Sequence, residues 1–494
     1  MTTSFITTAI PYVNARPHLG FAYELVLADI LARHRRRRGH DVRFLTGTDD
    51  NSLKNVAAAE RDGISPRELV DRNTAAFEAL GPLLGAQPDD FIRTSIDPRH
   101  RVAVDWLWRK CAARGDLYRR AWHGRYCTGC EAFVEDDVEV CPEHGIAPQD
   151  VREENWFFRL SRWREPVRDA ITTGRLTIVP EAARAETLAF LDGEVRDLSV
   201  SRDAKRSHGW GIGVPDDPTQ VIYVWFDALV NYVSALGLGG DEALLDRYWR
   251  GGDSVHVIGK GISRFHAVYW PAFLLSAGLP LPNRIFVHGY LTVDGEKISK
   301  SRRNVAVDPV VEHCGADAVR WYFARCCRTR SDADVSLDAI CDAYDRDLAD
   351  RLGNLVQRCT TLAVKLTAGR VPTPDDTPAS RELRELGERL AGRVDVAIDA
   401  FAPDEATAAI VEVLDAANRY LEATAPWRIQ RTDANAAAAA LYAPLEAARI
   451  VADELAPFAP GVAATISERL GTLVPGSELH SGAPPLPRKR ARAA

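Results

Sequence analysis

The sequence predicts an α/β domain built on a parallel sheet, interrupted by an inserted segment and followed by an all-α bundle. Three observations carry that reading. The first residues run strand, helix, strand; short strand-like runs return after residue 219; and from about Leu337 the chain is helical in pattern and rich in Ala, Leu, Arg and Glu. A βαβ start implies a crossover helix and a parallel sheet that binds ligands at the carboxyl ends of its strands.

Ser4 to Ile10 is apolar and β-branched, and is broken by Pro11 and by Asn14 to Pro17. From about Gly20 to Arg38, Leu25, Val26, Ala28, Ile30 and Leu31 recur at helical spacing, and Gly39 ends the pattern. Asp41 to Thr46 reads as a second strand. The runs QVIY at 220–223, VHVI at 255–258 and RIFV at 284–287 read as later strands with the same signature. The domain expectation is therefore 1–113 and 220–336 for the two halves of the α/β domain, with 114–219 inserted between them. The bundle takes 337–475, with a Pro/Asp-rich linker at Gly369 to Ala379. Residues 476–494, proline-containing and ending in RKRARAA, read as a disordered tail.

A length of 494 residues suits three domains of ~150 residues each. With 46% hydrophobic and 27% charged residues the chain has the makings of a sizeable core. A net charge of −7 leaves any nucleic-acid contact to local patches. The start lacks the basic and apolar regions of a signal peptide, and no run approaches ~18 apolar residues, so neither secretion nor a membrane span is expected. Nine cysteines without a secretion signal point to a reducing compartment, the cytoplasm.

Three motifs bear chemistry. Pro17-His18-Leu19-Gly20-Phe21 lies where a strand gives way to a helix, and a helix start presents free N–H groups to a phosphate chain. Gly20 lets a nucleotide approach the backbone and His18 can donate to phosphate oxygens, although a histidine there is also a common turn residue. Lys297-Ile298-Ser299-Lys300-Ser301 places two lysines and two hydroxyls in a loop suited to a leaving diphosphate. Only eight of the 62 basic residues are lysine, and Lys260, Lys297 and Lys300 fall within one short stretch. Taken alone, the lysine clustering also reads as chance, and the isolated loop reads better as a solvated basic loop. The third motif is sharper: Cys127, Cys130, Cys141 and His144 form a CxxC…CxxH pair, a Cys₃His set for one structural Zn²⁺.

His18-Leu19-Gly20 and KISKS, in that order, resemble the HIGH and KMSKS signatures of class I aminoacyl-tRNA synthetases. Longer blocks resemble the methionyl-tRNA synthetase family: TTAIPYVNARPHLGFAYE, the cysteine segment, ENWFFRLS, VWFDALVNY, RFHAVYWPAFLLSAGLPLP, FVHGYLTVDGEKISKS, GADAVRWYFAR, GNLVQR and APW, covering about residues 5 to 430. The resemblance implies a Rossmann-type catalytic domain, a connective insertion carrying a zinc knob, and an anticodon-binding bundle. It implies that methionine, ATP with Mg²⁺ and tRNA(Met) are the partners of a monomer with no membrane attachment. By position, Ile10, Tyr12, Trp225, Leu229, Tyr232, Val287 and His288 would line the side-chain pocket, with Tyr232 and His288 as polar contacts near sulfur. Asp49 would bind the ammonium; Gly20, Glu24, Lys260, Ser299 and Ser301 the nucleotide; and Arg202 would lie near the reacting groups. His18, Lys297 and Lys300 would be catalytic, and Asn354, Arg358 and Trp427 would read the anticodon.

The chain departs from the family pattern at three places. Phe21 stands where the second histidine of HIGH is usual, Asn51-Ser52 where a His-Gly pair is usual, and Gly261 where an aspartate usually follows the lysine. These departures leave open a diverged paralogue serving a specialised pathway, or a non-catalytic tRNA-binding protein.

Overall fold

A computed structural model describes residues 2–127, 132–134, 137–141, 145–298 and 305–489. TSFITT at Thr3–Thr8 (β1) is buried on both faces after its first residue, as a central parallel strand must be. It leads through α1 (Leu19–Arg37) to β2 (Asp41–Thr48), which pairs parallel with β1, and β3 (Asp90–Arg93) adds outside β2. The other strands are β4 (Thr177–Val179), β5 (Asp253–Gly259) and β6 (Arg284–His288). The six form one parallel sheet in the order β3-β2-β1-β5-β6-β4. Strand order thus reverses between β1 and β5, which opens a crevice at their carboxyl ends.

Two sequence expectations are corrected by this topology. The QVIY run belongs to Asp217–Ile222, which pairs antiparallel with Ser201–Asp203 and Gly213–Val214 in a separate small sheet. A short apolar run does not encode which strand it will pair with, so both readings look alike in sequence. The inserted segment is also interrupted. Leu117–Cys127, Gln149–Phe158, Ala132–Val134 and Leu198–Ser199 make an antiparallel sheet, but between them the chain supplies β4 to the main sheet. Three residues, TIV, are too few to show a period.

The chain divides into two compact units: Met1–Ala28, Arg35–Gly81 and Gln87–His288 make the first, and Asp29–His34, Pro82–Ala86 and Gly289–Ala494 the second. One apolar core, from Phe5 through Trp108, Trp249 and Phe273 to Val287, fills the first unit. The second is helical, including α2 (Val307–Cys314), α3 (Ala316–Cys326), α4 (Leu337–Tyr344), α5 (Asn354–Thr367) and α6 (Pro403–Thr424). It begins before Leu337, so the helical unit is larger than the expected bundle. Within it, Arg320 of α3 is fully buried, meets Asp29 at 2.8 Å, and donates to the carbonyl oxygens of Pro457 at 2.6 Å and Phe458 at 3.1 Å.

The tail does not follow the expectation of disorder as far as Lys489. Glu478 bridges Arg370, the Leu479 N–H donates to the Gly369 carbonyl at 2.7 Å, and Leu479 and Leu486 are buried. Arg488 pairs with Asp350, and the Lys489 N–H donates to Asp345 at 2.7 Å. An extended strap has no periodicity to reveal it, and its two leucines suffice to anchor it. Among the described residues, no helix is long and apolar enough to cross a membrane.

Candidate active site

Glu24, on the first turns of α1, ties the carboxyl ends of three parallel strands together. Its carboxylate accepts from the Ala9 N–H just past β1 at 2.8 Å, from the Gly259 N–H of β5 at 3.0 Å, and pairs with His288 Nε2 of β6 at 3.1 Å. A half-buried carboxylate with this many donors marks the polar floor of the crevice. His288 also lies edge-on to Tyr23, at 5.0 Å between ring centres. Its contact is therefore with the Glu24 end of the crevice.

His18 precedes α1 and is largely buried. The Gly20 backbone N–H donates to its Nδ1 at 3.0 Å. Nδ1 is then an acceptor, so the ring proton resides on Nε2, which makes Nε2 the donor for a bound oxyanion. Gly20 is required here for space: a Cβ would meet His18 Cε1 at 2.8 Å and Nδ1 at 3.0 Å. Phe21 stacks on the His18 ring at 4.3 Å and 29°, and rests edge-on against Phe77 at 5.3 Å. The residue that departs from the HIGH pattern thus clamps the histidine that keeps it.

Asp49 follows β2 and bridges Tyr12 in parallel register, with its carboxylate accepting from the Asn51 N–H at 3.1 Å. Asn51 donates to Asp227 at 2.7 Å, and Asp227 in turn meets His100 Nε2 at 2.5 Å in a fully buried pair. Ser52 caps α7 (Leu53–Asp62) by accepting from the Lys54 N–H at 3.0 Å. Both residues of the Asn51-Ser52 departure therefore have local structural work.

Several of the residues proposed for the side-chain pocket pack near one another. Tyr12 and Trp225 meet edge-to-face at 6.3 Å, and Leu229, Tyr232 and Val287 are buried in the same core to which Ile10 adds. Two residues that the sequence did not single out pack against them. Phe265 stacks on Trp225 at 3.8 Å, and His266 Nε2 meets the Tyr232 hydroxyl at 2.7 Å. The polar partner of Tyr232 is therefore His266. The RFHAVYW block contained both residues, but nothing in it shows which histidine faces the tyrosine.

His266 Nδ1 lies 2.9 Å from the Ile262 carbonyl, which can only accept, so Nδ1 carries the proton and Tyr232 donates to Nε2. Behind it, His256 takes the same neutral form: Trp270 donates to Nε2 at 3.3 Å, leaving Nδ1–H for Thr7 Oγ1 at 2.8 Å. Burial pulls His266 down to about 4 and His256 well below its ordinary range. The unfolded chain binds these protons more readily, so their contribution to stability is complete above the ordinary histidine value. It is lost as pH falls from there through about 4. We expect stability to drop by ~1.4 kcal/mol per pH unit for each group in that window. His266→Gln should flatten the slope measured by denaturant unfolding; an unchanged slope would contradict the neutral assignment.

Lys260 opens a short helical turn after β5 and is exposed. Arg202 is buried, donates to the Ser201 carbonyl at 2.7 Å and lies over Tyr223 at 4.2 Å, so its guanidinium is engaged structurally. Lys297 lies on the strand Glu296–Lys297, opposite Thr292, while Ser299, Lys300 and Ser301 lie outside the described residues. Cys127 and Cys141 are buried thiols, and Cys130 and His144 lie outside the described residues. In the helical unit, Arg358 lies over the half-buried Trp427 ring at 5.0 Å and pairs with Glu422 at 2.6 Å. Asn354 is exposed one turn earlier on α5.

Comparison with known proteins agrees with this geometry. The family described as tRNA synthetases class I (M) matches residues 4–150 and 144–360, and the anticodon binding domain of methionyl tRNA ligase matches 373–476. A methionine–tRNA ligase of Brucella suis is 41% identical over 92% of this chain and 89% of its own length. That of Mycobacterium bovis is 40% identical over 94% and 92%. The Mycobacterium tuberculosis methionyl-tRNA synthetase in complex with methionyl-adenylate superposes with a TM-score of 0.93 at 37% identity, covering 99% of this chain and 100% of that one. Its apo form gives 0.87 at 35% identity. The chain belongs to the methionyl branch of the class I tRNA synthetases.

Proposed function

We propose that this chain activates methionine with ATP and transfers it to tRNA(Met), working as a monomer in the cytoplasm. The observations that support the reading are an oriented His18, the Glu24 knot at the carboxyl ends of β1, β5 and β6, and the apolar cluster around the Tyr232–His266 pair, the proposed side-chain pocket. A thioether suits that pocket: it is apolar, polarizable and tolerant of aromatic walls. The buried Trp225 Nε1 has no hydrogen-bond partner among the described residues and suits an acceptor on the ligand.

In the first step a methionine carboxylate oxygen attacks the α-phosphorus of ATP, and the bond to diphosphate breaks. Asp49 holds the ammonium, while Gly20, Glu24 and Lys260 hold the nucleotide. His18 Nε2–H, Lys297 and Lys300, with Ser299 and Ser301, stabilise the charge that passes to diphosphate. In the second step the tRNA terminal ribose hydroxyl attacks the adenylate carbonyl and AMP leaves. Positioning and fixed charge do most of this work. Mg²⁺ enters with ATP and neutralises phosphate charge. One Zn²⁺ would crosslink Cys127, Cys130, Cys141 and His144. The two described thiols fit it: both are buried, and the Gly145 N–H donates to the Cys141 carbonyl at 2.8 Å.

The test is diphosphate–ATP exchange across the amino acids, expected with methionine. Exchange with another amino acid, or none at all with tRNA binding intact, would overturn the reading. In the same assay Phe21→His should raise the rate by adding a donor, whereas Phe21→Ala should lower it by releasing the His18 ring.

Anticodon reading is assigned to Asn354, Arg358 and Trp427. Stacking on an unpaired base is worth ~1–3 kcal/mol, so Trp427→Ala should weaken aminoacylation of tRNA and leave exchange nearly intact. Parallel loss of both activities would make Trp427 a core residue only.

A further inference from the structure

A second group of metal-ligand side chains sits in the helical unit, apart from the cysteine segment. His313 and Cys314 end α2, which Gly315 terminates with a φ of 85°, and Cys341 lies on α4. Both thiols are fully buried and their sulfurs are 2.9 Å apart. A ring nitrogen of the exposed His313 and the two sulfurs all lie within 4.8 Å of one another. Cys314 Sγ is also 3.7 Å from the carbonyl oxygen of Leu337, the first residue of α4.

We propose that His313, Cys314 and Cys341 bind one thiophilic divalent ion, Zn²⁺ in the first instance, which braces α2 against α4. Two thiolates and a neutral imidazole balance the charge of a dication, so the buried assembly carries no net charge. The set contains no carboxylate, which disfavours Mg²⁺ and Ca²⁺ and favours zinc or its heavier congeners. Binding releases the two thiol protons to solvent. Zinc–sulfur bonds of ~2.3 Å in tetrahedral geometry hold two sulfurs roughly 3.7 Å apart. The 2.9 Å contact must therefore open by less than the width of an atom when the ion binds. Three protein ligands leave a fourth position, and the exposure of His313 lets water fill it.

The experiment is elemental analysis of the full-length protein, purified under reductant from zinc-supplied cells. We expect about two zinc ions per chain, one for each ligand set. Cys314→Ser and Cys341→Ser should each lower this by about one, as should Cys141→Ser, and combining Cys341→Ser with Cys141→Ser should remove both. Methionine-dependent exchange should survive Cys341→Ser and so report that the variant is folded. Cadmium NMR supplies a readout independent of stability: the cadmium-loaded protein should show two resonances, and Cys341→Ser should abolish the one with fewer sulfur ligands. Zinc content unchanged in both variants would overturn the proposal. So would a count of two fewer thiols in the unreduced, unfolded protein than after reduction, which would make the pair a disulfide.

Discussion

Gly20→Ala should reduce diphosphate exchange by ~10²–10³, the usual loss when one well-placed transition-state donor is displaced. The added methyl carbon would lie 2.8 Å from His18 Cε1, closer than such atoms approach, and the ring cannot simply retreat because Phe21 is stacked on it. Moving the ring breaks the Gly20 N–H bond to Nδ1, which sets the proton on Nε2. The same substitution should not destabilise the fold. Gly20 is the second residue of α1, so the change falls on the helix's first turn and leaves its later turns untouched. Rate and thermal stability measured on one preparation therefore separate the explanations. A slow, stable variant supports the role of His18; a rate equal to the parent's would remove His18 from the chemistry.

Arg320→Ala should cost about 3–5 kcal/mol of stability, as expected when one partner of a buried ion pair is removed. The guanidinium is fully buried, pairs with Asp29, and donates to the carbonyl oxygens of Pro457, Phe458 and, at 3.3 Å, Leu84. Its loss would take the guanidinium from those carbonyls and from Asp29, which also pairs with Arg33 at 2.7 Å. Arg320→Lys should recover little, because a single ammonium cannot span acceptors that the planar fork reaches together. The check is the shift of the denaturant midpoint for the full chain. A change under about 1 kcal/mol, the scale of an exposed pair, would mean that these contacts are not what holds the helices.

Much of the site was legible because its parts announce themselves locally. The strand–turn–helix start located His18 and Gly20, and the structure agrees to within two residues on β1, α1 and β2. The residues proposed as apolar walls came through the family resemblance; Leu229 and Tyr232 share one core against which Trp225 packs, and Tyr12 meets Trp225 edge-on. What failed was pairing between distant parts. Nothing in the sequence pairs His266 with Tyr232, and only the approach of the turn at 262–269 brings the two together. The three residues of β4, the antiparallel fate of QVIY and the strap ending at Lys489 were invisible for a related reason. None has a period long enough to declare its partner.

By itself, then, the sequence determined the class of fold and supplied the residue types from which the sites are proposed, since periodicity, turn residues and ligand spacing are local properties of a chain. Only the tertiary structure decided which histidine carries its proton where, which carboxylate ties β1, β5 and β6 together, and which cysteines touch. Those outcomes depend on burial and on donors and acceptors brought together from hundreds of residues apart, as when Glu24 meets Gly259 and His288.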